Sequence, residues 1–172
     1  MLFRSPVYAN REIKVLNLFA YTGGATVACS YAGASVCHVD SSKGMVAWAK
    51  DNIKSSGLEE RPVRYIVDDV VKFVNREIRR GNKYDAIIMD PPSYGRGANG
   101  EVWNIEESLY PLVELCTQIL SDRPLFFLIN SYTTGLSPTI LANILSMTIK
   151  QKGKISCGEV GLSMKDSRLT LP

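Results

Sequence analysis

Short apolar runs alternate along this chain with longer stretches in which apolar residues recur at every third or fourth position. Residues 15–19, 35–39, 63–67, 86–89, 125–130 and 154–160 are the short runs, and each is bounded by turn-forming residues, as strands are. Between them the helical period predicts helices over 25–31, 43–55, 69–80, 105–120 and 137–151. Start and stop signals agree with the period. Ser41 or Ser42 caps the second helix and Gly57 ends it; Asp69 opens the third and Gly81 closes it; Ser137 caps the fifth, with Pro138 in its first turn. Strand–helix alternation of this kind predicts an α/β domain: a mostly parallel sheet with helices on both faces. No repeat, low-complexity tract or linker interrupts it.

Composition narrows the function classes. The 172 residues suffice for one domain with a real core, and 20 basic against 17 acidic residues leave a net charge of only +3. That balance permits nucleic acid without arguing for it. Cys29, Cys37, Cys116 and Cys157 are scattered, with no Cys-x-x-Cys pair, which argues against a zinc site and for no metal at all. They read as reduced thiols of a cytoplasmic protein, with those on helices and strands buried. No apolar run approaches membrane-spanning length, and the start lacks the apolar core of a signal peptide. His38, the single histidine, falls at a strand end, which disfavours a Ser-His-Asp hydrolase. Residues 1–12 form an N-terminal extension that fits no element. Its Leu2-Phe3-Arg4-Ser5 is also what a sequencing-adaptor end encodes, so the natural chain is expected to begin further upstream.

The chemistry concentrates at strand ends. The run 86–89 stops at Asp90-Pro91-Pro92-Ser93-Tyr94, and prolines cannot continue a ladder, so Asp90 stands at the carboxyl end of a strand. Ligands of open α/β sheets bind there. A carboxylate followed by stiff backbone carbonyls is an acceptor array suited to an amino group on a flat ring. Three more strand ends fall in line. The first strand runs into Tyr21-Thr22-Gly23-Gly24, where glycines let a ligand approach the backbone, although the Gly-x-Gly-x-x-Gly dinucleotide fingerprint is missing. Asp40 ends the second and suits two ribose hydroxyls. Asp68-Asp69 ends the third and can accept from an adenine amine. Each acid alone is more often a cap or a solvated group; together, in order, they are a joint signal.

These segments, with 130–136 after the fifth strand, resemble the class I S-adenosylmethionine-dependent methyltransferases. More closely the chain is similar to the large-subunit ribosomal RNA methyltransferases that act on cytosine and their uncharacterised relatives. The resemblance implies a Rossmann-like sheet of order 3-2-1-4-5-7-6, with S-adenosylmethionine as cofactor and RNA as partner. It implies that Tyr21, Thr22, Gly23 and Gly24 surround the cofactor's methionine part, that Asp40 holds its ribose and Asp69 its adenine. Asp90, Pro91 and Pro92 would close the transfer site, and Tyr94 would stack on the target base. One departure matters. Methylation of a cytosine ring carbon needs a thiolate that first adds to the ring. The family's cytosine-modifying members carry it after strand five, and here Tyr132 stands at that position. Direct displacement at a nitrogen is therefore expected. The alternatives are a non-catalytic cofactor- or RNA-binding module and a nicotinamide-dependent oxidoreductase. The domain, 13–172, is expected to be truncated before strand seven.

Other residues have weaker readings. Lys72, Arg76, Arg79, Arg80 and Lys83 form a basic stripe that reads as a solvated face before it reads as an RNA contact. Arg96 is the better candidate for a phosphate or base. Trp48 reads as core; Trp103 reads equally as core or as a substrate platform.

Overall fold

The computed structural model describes residues 11–96, 100–151, 153–165, 168 and 170–171. The order is β1 (Lys14–Leu18), α1 (Gly24–Tyr31), β2 (Ser35–Asp40), α2 (Lys43–Ser55), β3 (Val63–Val67), α3 (Val70–Arg80) and β4 (Ala86–Met89). There follow β5 (Tyr94–Arg96), β6 (Val102–Asn104), α4 (Ile105–Thr117), β7 (Phe126–Ile129), α5 (Pro138–Thr148), β8 (Leu162–Ser163) and β9 (Thr170–Leu171). Five strands form one parallel sheet in the order β3-β2-β1-β4-β7. This is the Rossmann-like arrangement, and its 3-2-1-4-5 half matches the expectation strand for strand.

The central strands are apolar on both sides because both sides are covered. Leu16, Leu18, Val39, Ile87 and Met89 face a core completed by Val70, Phe73 and Val74 of α3 and by Leu109, Leu112 and Val113 of α4. The alternate residues Val15, Val36, Ala86 and Ile88 pack with Cys29 of α1. The predicted caps hold: the side chains of Ser42, Asp69 and Ser137 accept from Met45 N, Lys72 N and Ile140 N. Arg11 and Glu12, counted with the N-terminal extension, hold to the domain. Arg11 donates to Asp85 at 2.6 Å and to the Arg123 carbonyl, and Glu12 accepts from Ser35. The adaptor-like residues lie outside the described part.

Four expectations need correction. Residues 154–160 pair with nothing among the described residues and form no strand; Ile155 and Val160 are exposed there. Ile155, Cys157 and Val160 supply apolar residues, but a strand requires a neighbour, and glycines at 153 and 158 weaken it further. Cys157 is consequently not within a strand but on an exposed irregular segment. The stretch after Pro92, read as a glycine-rich loop, contains the antiparallel hairpin β5–β6, whose three-residue strands are too short to show a period. Trp48 is not core. The buried positions of α2 are Val46, Ala49 and Ile53, and Trp48, on the other side of the helix, is 53% exposed.

Candidate active site

The β1 turn is shaped by backbone that side chains rarely tolerate. Phe19 and Tyr21 have positive φ (52° and 47°), which is uncommon for large residues and concentrates at functional loops. Gly23 also has positive φ, 83°, and a Cβ there would lie 2.9 Å from the Ala49 Cβ, so only glycine fits against α2. Gly24 is the opposite case: a Cβ would meet nothing within 4 Å, so the turn opens onto free space. The first N–H groups of α1, which starts here, receive no side-chain cap and α1 has no acid in its first turn.

Hydrogen bonds fix this turn from behind. Asn52 of α2 donates to the Thr22 carbonyl at 2.8 Å. Asn17 donates to the Thr26 hydroxyl, which lies 2.9 Å from His38 Nδ1, all three side chains being buried. Burial pushes the His38 imidazole down to about 4, against a smaller upward pull from Asp40, so at neutral pH it is uncharged and serves as a strut. Asp40, half-buried at the end of β2, accepts from Tyr21 N through one oxygen and from Ser42 N through the other, each at 2.8 Å. Its carboxylate is thereby held at the mouth of the turn, with lone pairs still available on both oxygens.

The third strand end differs in detail from the simplest picture. Asp69 caps α3, and Asp68 forms an ion pair with Arg76 and accepts from Asp69 N. Among the described residues four of the five members of the basic stripe, all but Arg79, have partners within the fold, Arg76 through Asp68. Lys72 pairs with Glu101, Arg80 with Glu77, and Lys83 donates to the Gln118 carbonyl. This favours the structural reading of that face over nucleic-acid contact.

Just past β4, Asp90 is exposed and Pro91 buried. Asn130, one residue past β7, donates to Asp90 Oδ1 at 3.0 Å, which leaves Oδ2 open. Ser93 and Thr133 share a hydrogen bond of 2.7 Å across the same two loops. The Pro92 carbonyl is taken by the Trp103 indole N–H at 2.6 Å. Among the described residues no donor reaches Asp90 Oδ2 or the Pro91 carbonyl. Tyr94, 57% exposed, projects from the start of the hairpin, and its hydroxyl accepts a long bond from Arg96. The structure thus brings Tyr21, Thr22, Gly23, Gly24, Asp40, Asp90, Pro91, Pro92 and Tyr94 to the carboxyl ends of the adjacent strands β2, β1 and β4, with Asp69 beyond β3. Sequence reasoning missed Asn17, Thr26, Asn52, Asn130 and Thr133. Each acts through a partner distant in the chain, and no local pattern announces it.

The thiols divide sharply. Cys29, Cys37 and Cys116 are buried. Burial pushes Cys29 and Cys37 up to about 11 and Cys116 further still, so none is a ready thiolate. Cys157 lines a cleft of ≈ 830 Å³ together with Asn130, Ser131, Tyr132 and Thr133. Among the described residues no three potential metal ligands come together, and no helix is long and apolar enough to cross a membrane.

An open α/β sheet with an uncapped helix start over a glycine turn and acids on successive strand ends is the frame of a nucleotide-cofactor site. Residues 7–137 match the S-adenosylmethionine-dependent methyltransferase family, and the chain belongs to it. It is 38% identical over 89 residues to the ribosomal RNA large subunit methyltransferase K/L of Shewanella baltica (51% of this chain, 12% of that protein). It is 31% identical over 117 residues to the ribosomal RNA large subunit methyltransferase K of Neisseria meningitidis (66% of this chain, 33% of that protein). The chain therefore spans a third or less of the length of these relatives. Among solved structures it is similar to an S-adenosylmethionine-dependent methyltransferase from Agrobacterium tumefaciens, with a TM-score of 0.78 and 39% identity, over 86% of this chain and 50% of that one. A protein assigned as a methyltransferase and solved with S-adenosylhomocysteine bound gives a TM-score of 0.72 and 28% identity, over 81% of this chain and 36% of that one.

Proposed function

We propose that this chain transfers a methyl group from S-adenosylmethionine to an amino nitrogen of an RNA base, without a cysteine adduct. The observation that carries the reading is the acceptor pair at the end of β4. Asp90 Oδ2 and the Pro91 carbonyl belong to neighbouring residues, accept no hydrogen bond from the described residues, and the other Asp90 oxygen is held by the Asn130 amide. Two such acceptors suit a group bearing two N–H bonds. By accepting both protons they turn the nitrogen lone pair away from the ring and toward the cofactor; such positioning supplies up to about 7–11 kcal/mol of barrier reduction in favourable cases. The carboxylate is also where the proton lost on methylation can go.

The residues present fit the cofactor. The open space above Gly24 and the free N–H groups of α1 suit the methionine carboxylate. Asp40 accepts from the ribose hydroxyls, and the oxygen of Asp69 not used as a cap accepts from adenine. S-Adenosylmethionine supplies a methyl group activated on a sulfonium, whose departing partner is a neutral thioether. Tyr94 stacks on the flipped base, and Arg96 beside it suits the neighbouring phosphate. The relatives named for ribosomal RNA support RNA as the acceptor class.

The test is calorimetry with S-adenosylhomocysteine, then tritiated-methyl transfer to total RNA and to a protein extract, with the labelled RNA digested to nucleosides. Label on an exocyclic amine is expected. Asp90→Ala should leave cofactor affinity within a few fold while removing transfer. Label in 5-methylcytidine, or in protein alone, overturns the proposal.

A further inference from the structure

We infer that Trp103 is the positioning residue of the transfer site: it clamps the acceptor loop after β4 to the cofactor loop after β1. The inference rests on the methyltransferase reading above and concerns how its two loops are held in register. Trp103 lies on β6, outside the segments that carry the family resemblance, and three observations converge on it.

Its indole N–H donates to the Pro92 carbonyl at 2.6 Å. Its ring packs on Phe19 with centroids 4.9 Å apart and planes tilted by 57°, within the range of favourable aromatic pairs. Phe19 is itself held at φ 52°, in the cofactor loop, two residues before Tyr21. One side chain therefore touches both halves of the site, and it does so at the two atoms groups that define them: a strained turn and a stiff Pro-Pro carbonyl. Third, the hairpin is built to bring it there. Trp103 pairs with Gly95 across the β5–β6 ladder, and a Cβ on Gly95 would already stand 3.7 Å from Pro92 and 3.9 Å from Trp103. Gly95, Pro92 and Trp103 therefore already lie in ordinary packing contact across the hairpin.

The consequence is chemical. With Pro92 O occupied, the acceptor array is reduced to Asp90 and Pro91, and its distance from the cofactor loop is set by a rigid indole. The same hairpin carries Tyr94 and Arg96, so the clamp also aims the base-stacking ring. Trp103 touches neither reacting atom; its effect passes through Pro92 and Phe19.

Trp103→Phe is the discriminating variant, because it keeps a ring against Phe19 and removes the N–H. Expected are an unchanged dissociation constant for S-adenosylhomocysteine, an unchanged KM for S-adenosylmethionine, and a fall in kcat for RNA of about tenfold or more, as a misplaced acceptor produces. A readout independent of turnover exists, since Trp48 and Trp103 are the chain's two tryptophans. In a Trp48→Phe background, Trp103 emission should change saturably with S-adenosylhomocysteine, at the calorimetric dissociation constant. An unmoved kcat in Trp103→Phe overturns the inference. So does a parallel loss of cofactor affinity and kcat, which a merely structural role would give, or silent Trp103 emission while calorimetry reports binding. Absence of S-adenosylhomocysteine binding by the unmodified chain strikes instead at the methyltransferase reading on which the clamp depends.

Discussion

β4 and β7 lie side by side in register, Ile88 beside Leu128, yet every residue of β4 is buried and every residue of β7 is only half-buried. The loops after them inherit the difference. Toward β1 and β2 the site is pinned to the core: Ala20 N donates to the Val39 carbonyl, Asp40 holds two backbone N–H groups, and His38, Thr26 and Asn17 brace the turn from inside. Toward β7 one backbone bond, Asn130 N to the Met89 carbonyl, continues the ladder, and the loops beyond it are joined by side-chain contacts, Asn130 to Asp90 and Ser93 to Thr133. Tyr132 beside them is 71% exposed, and Thr148 is the one buried residue of α5 among those described. The two regions divide the labour. On the proposed reading the cofactor meets preset backbone on a rigid frame, and the acceptor meets polar side chains at the surface.

The largest effect is expected where the rigid half meets the cofactor. Asp40→Ala should abolish measurable binding of S-adenosylhomocysteine, since each hydrogen bond to a charged group is worth about 1.5–3 kcal/mol and two ribose hydroxyls are involved. Circular dichroism and thermal melting should show the fold retained. Calorimetry giving an unchanged dissociation constant would remove Asp40 from the ribose site.

Next comes the contrast between the strands themselves. Ile88→Ala removes a side chain that is 4% exposed and should cost about 2–5 kcal/mol of stability, the range for large-to-alanine changes in a packed core. Leu128→Ala, its half-buried neighbour, should cost less than half as much, because the site already borders solvent. Denaturant titrations with matched slopes decide it. Equal losses would mean that the β7 side is as well packed as the centre.

The pH dependence should also report the buried half. His38 sits near 4 when folded against an ordinary value of 6.5, so it is neutral inside and protonates first in the unfolded chain. Its contribution is complete above the unfolded value and is lost as pH falls from 6.5 toward 4, by on the order of 3 kcal/mol. The carboxyls of Asp85 and Glu77 lie in a lower window. Burial raises both, but hydrogen bonds outweigh it, from Lys14 N, Arg11 and Ser121 to Asp85 and from Tyr84, Asn82 and Arg80 to Glu77. Their contributions fade only in the carboxylate range and below. Stability measured between pH 6.5 and 5 should thus fall in the unmodified chain and stay flatter in His38→Gln. A parallel slope in both would assign the loss to another group.

How far the sequence could be read follows the same division. The central strand 86–89 was legible because burial on both faces leaves a continuous apolar signature; the edge strand 63–67, half-buried and interrupted by Arg64, was also bounded to the residue. Asp40 and Asp90 were legible because a strand's end is marked by its own local chemistry. What escaped was whatever depends on a partner far along the chain. Asn130 and Trp103 look like any polar or aromatic loop residue until the fold brings them to Asp90 and Pro92. The segment 154–160 failed for the converse reason, since its local composition suggested a strand and pairing among the described residues did not supply one. Trp48 shows the limit of helical spacing, which identifies a recurring face only when the neighbours are counted with it.

The smallest expected effect is the most pointed test of the exposed half. Three thiols are sealed in the core and raised by burial, so none can add to a base without the fold opening. Cys157 alone is exposed, and it shares a cleft with Asn130, Ser131 and Tyr132, the stretch where a carbon-methylating relative would carry its nucleophile. If the transfer is a direct displacement at nitrogen, Cys157→Ala should change neither cofactor affinity nor the methylation rate, and alkylation of the native protein should leave activity intact. The segment that carries it, 153–161, is exposed throughout, so the substitution should also leave the melting temperature unmoved. A loss of transfer with cofactor binding preserved would show that the thiol had moved from the β7 loop to a neighbouring segment rather than disappeared. The acceptor would then be a ring carbon, and the exposed, polar half of the site would prove to hold the nucleophile.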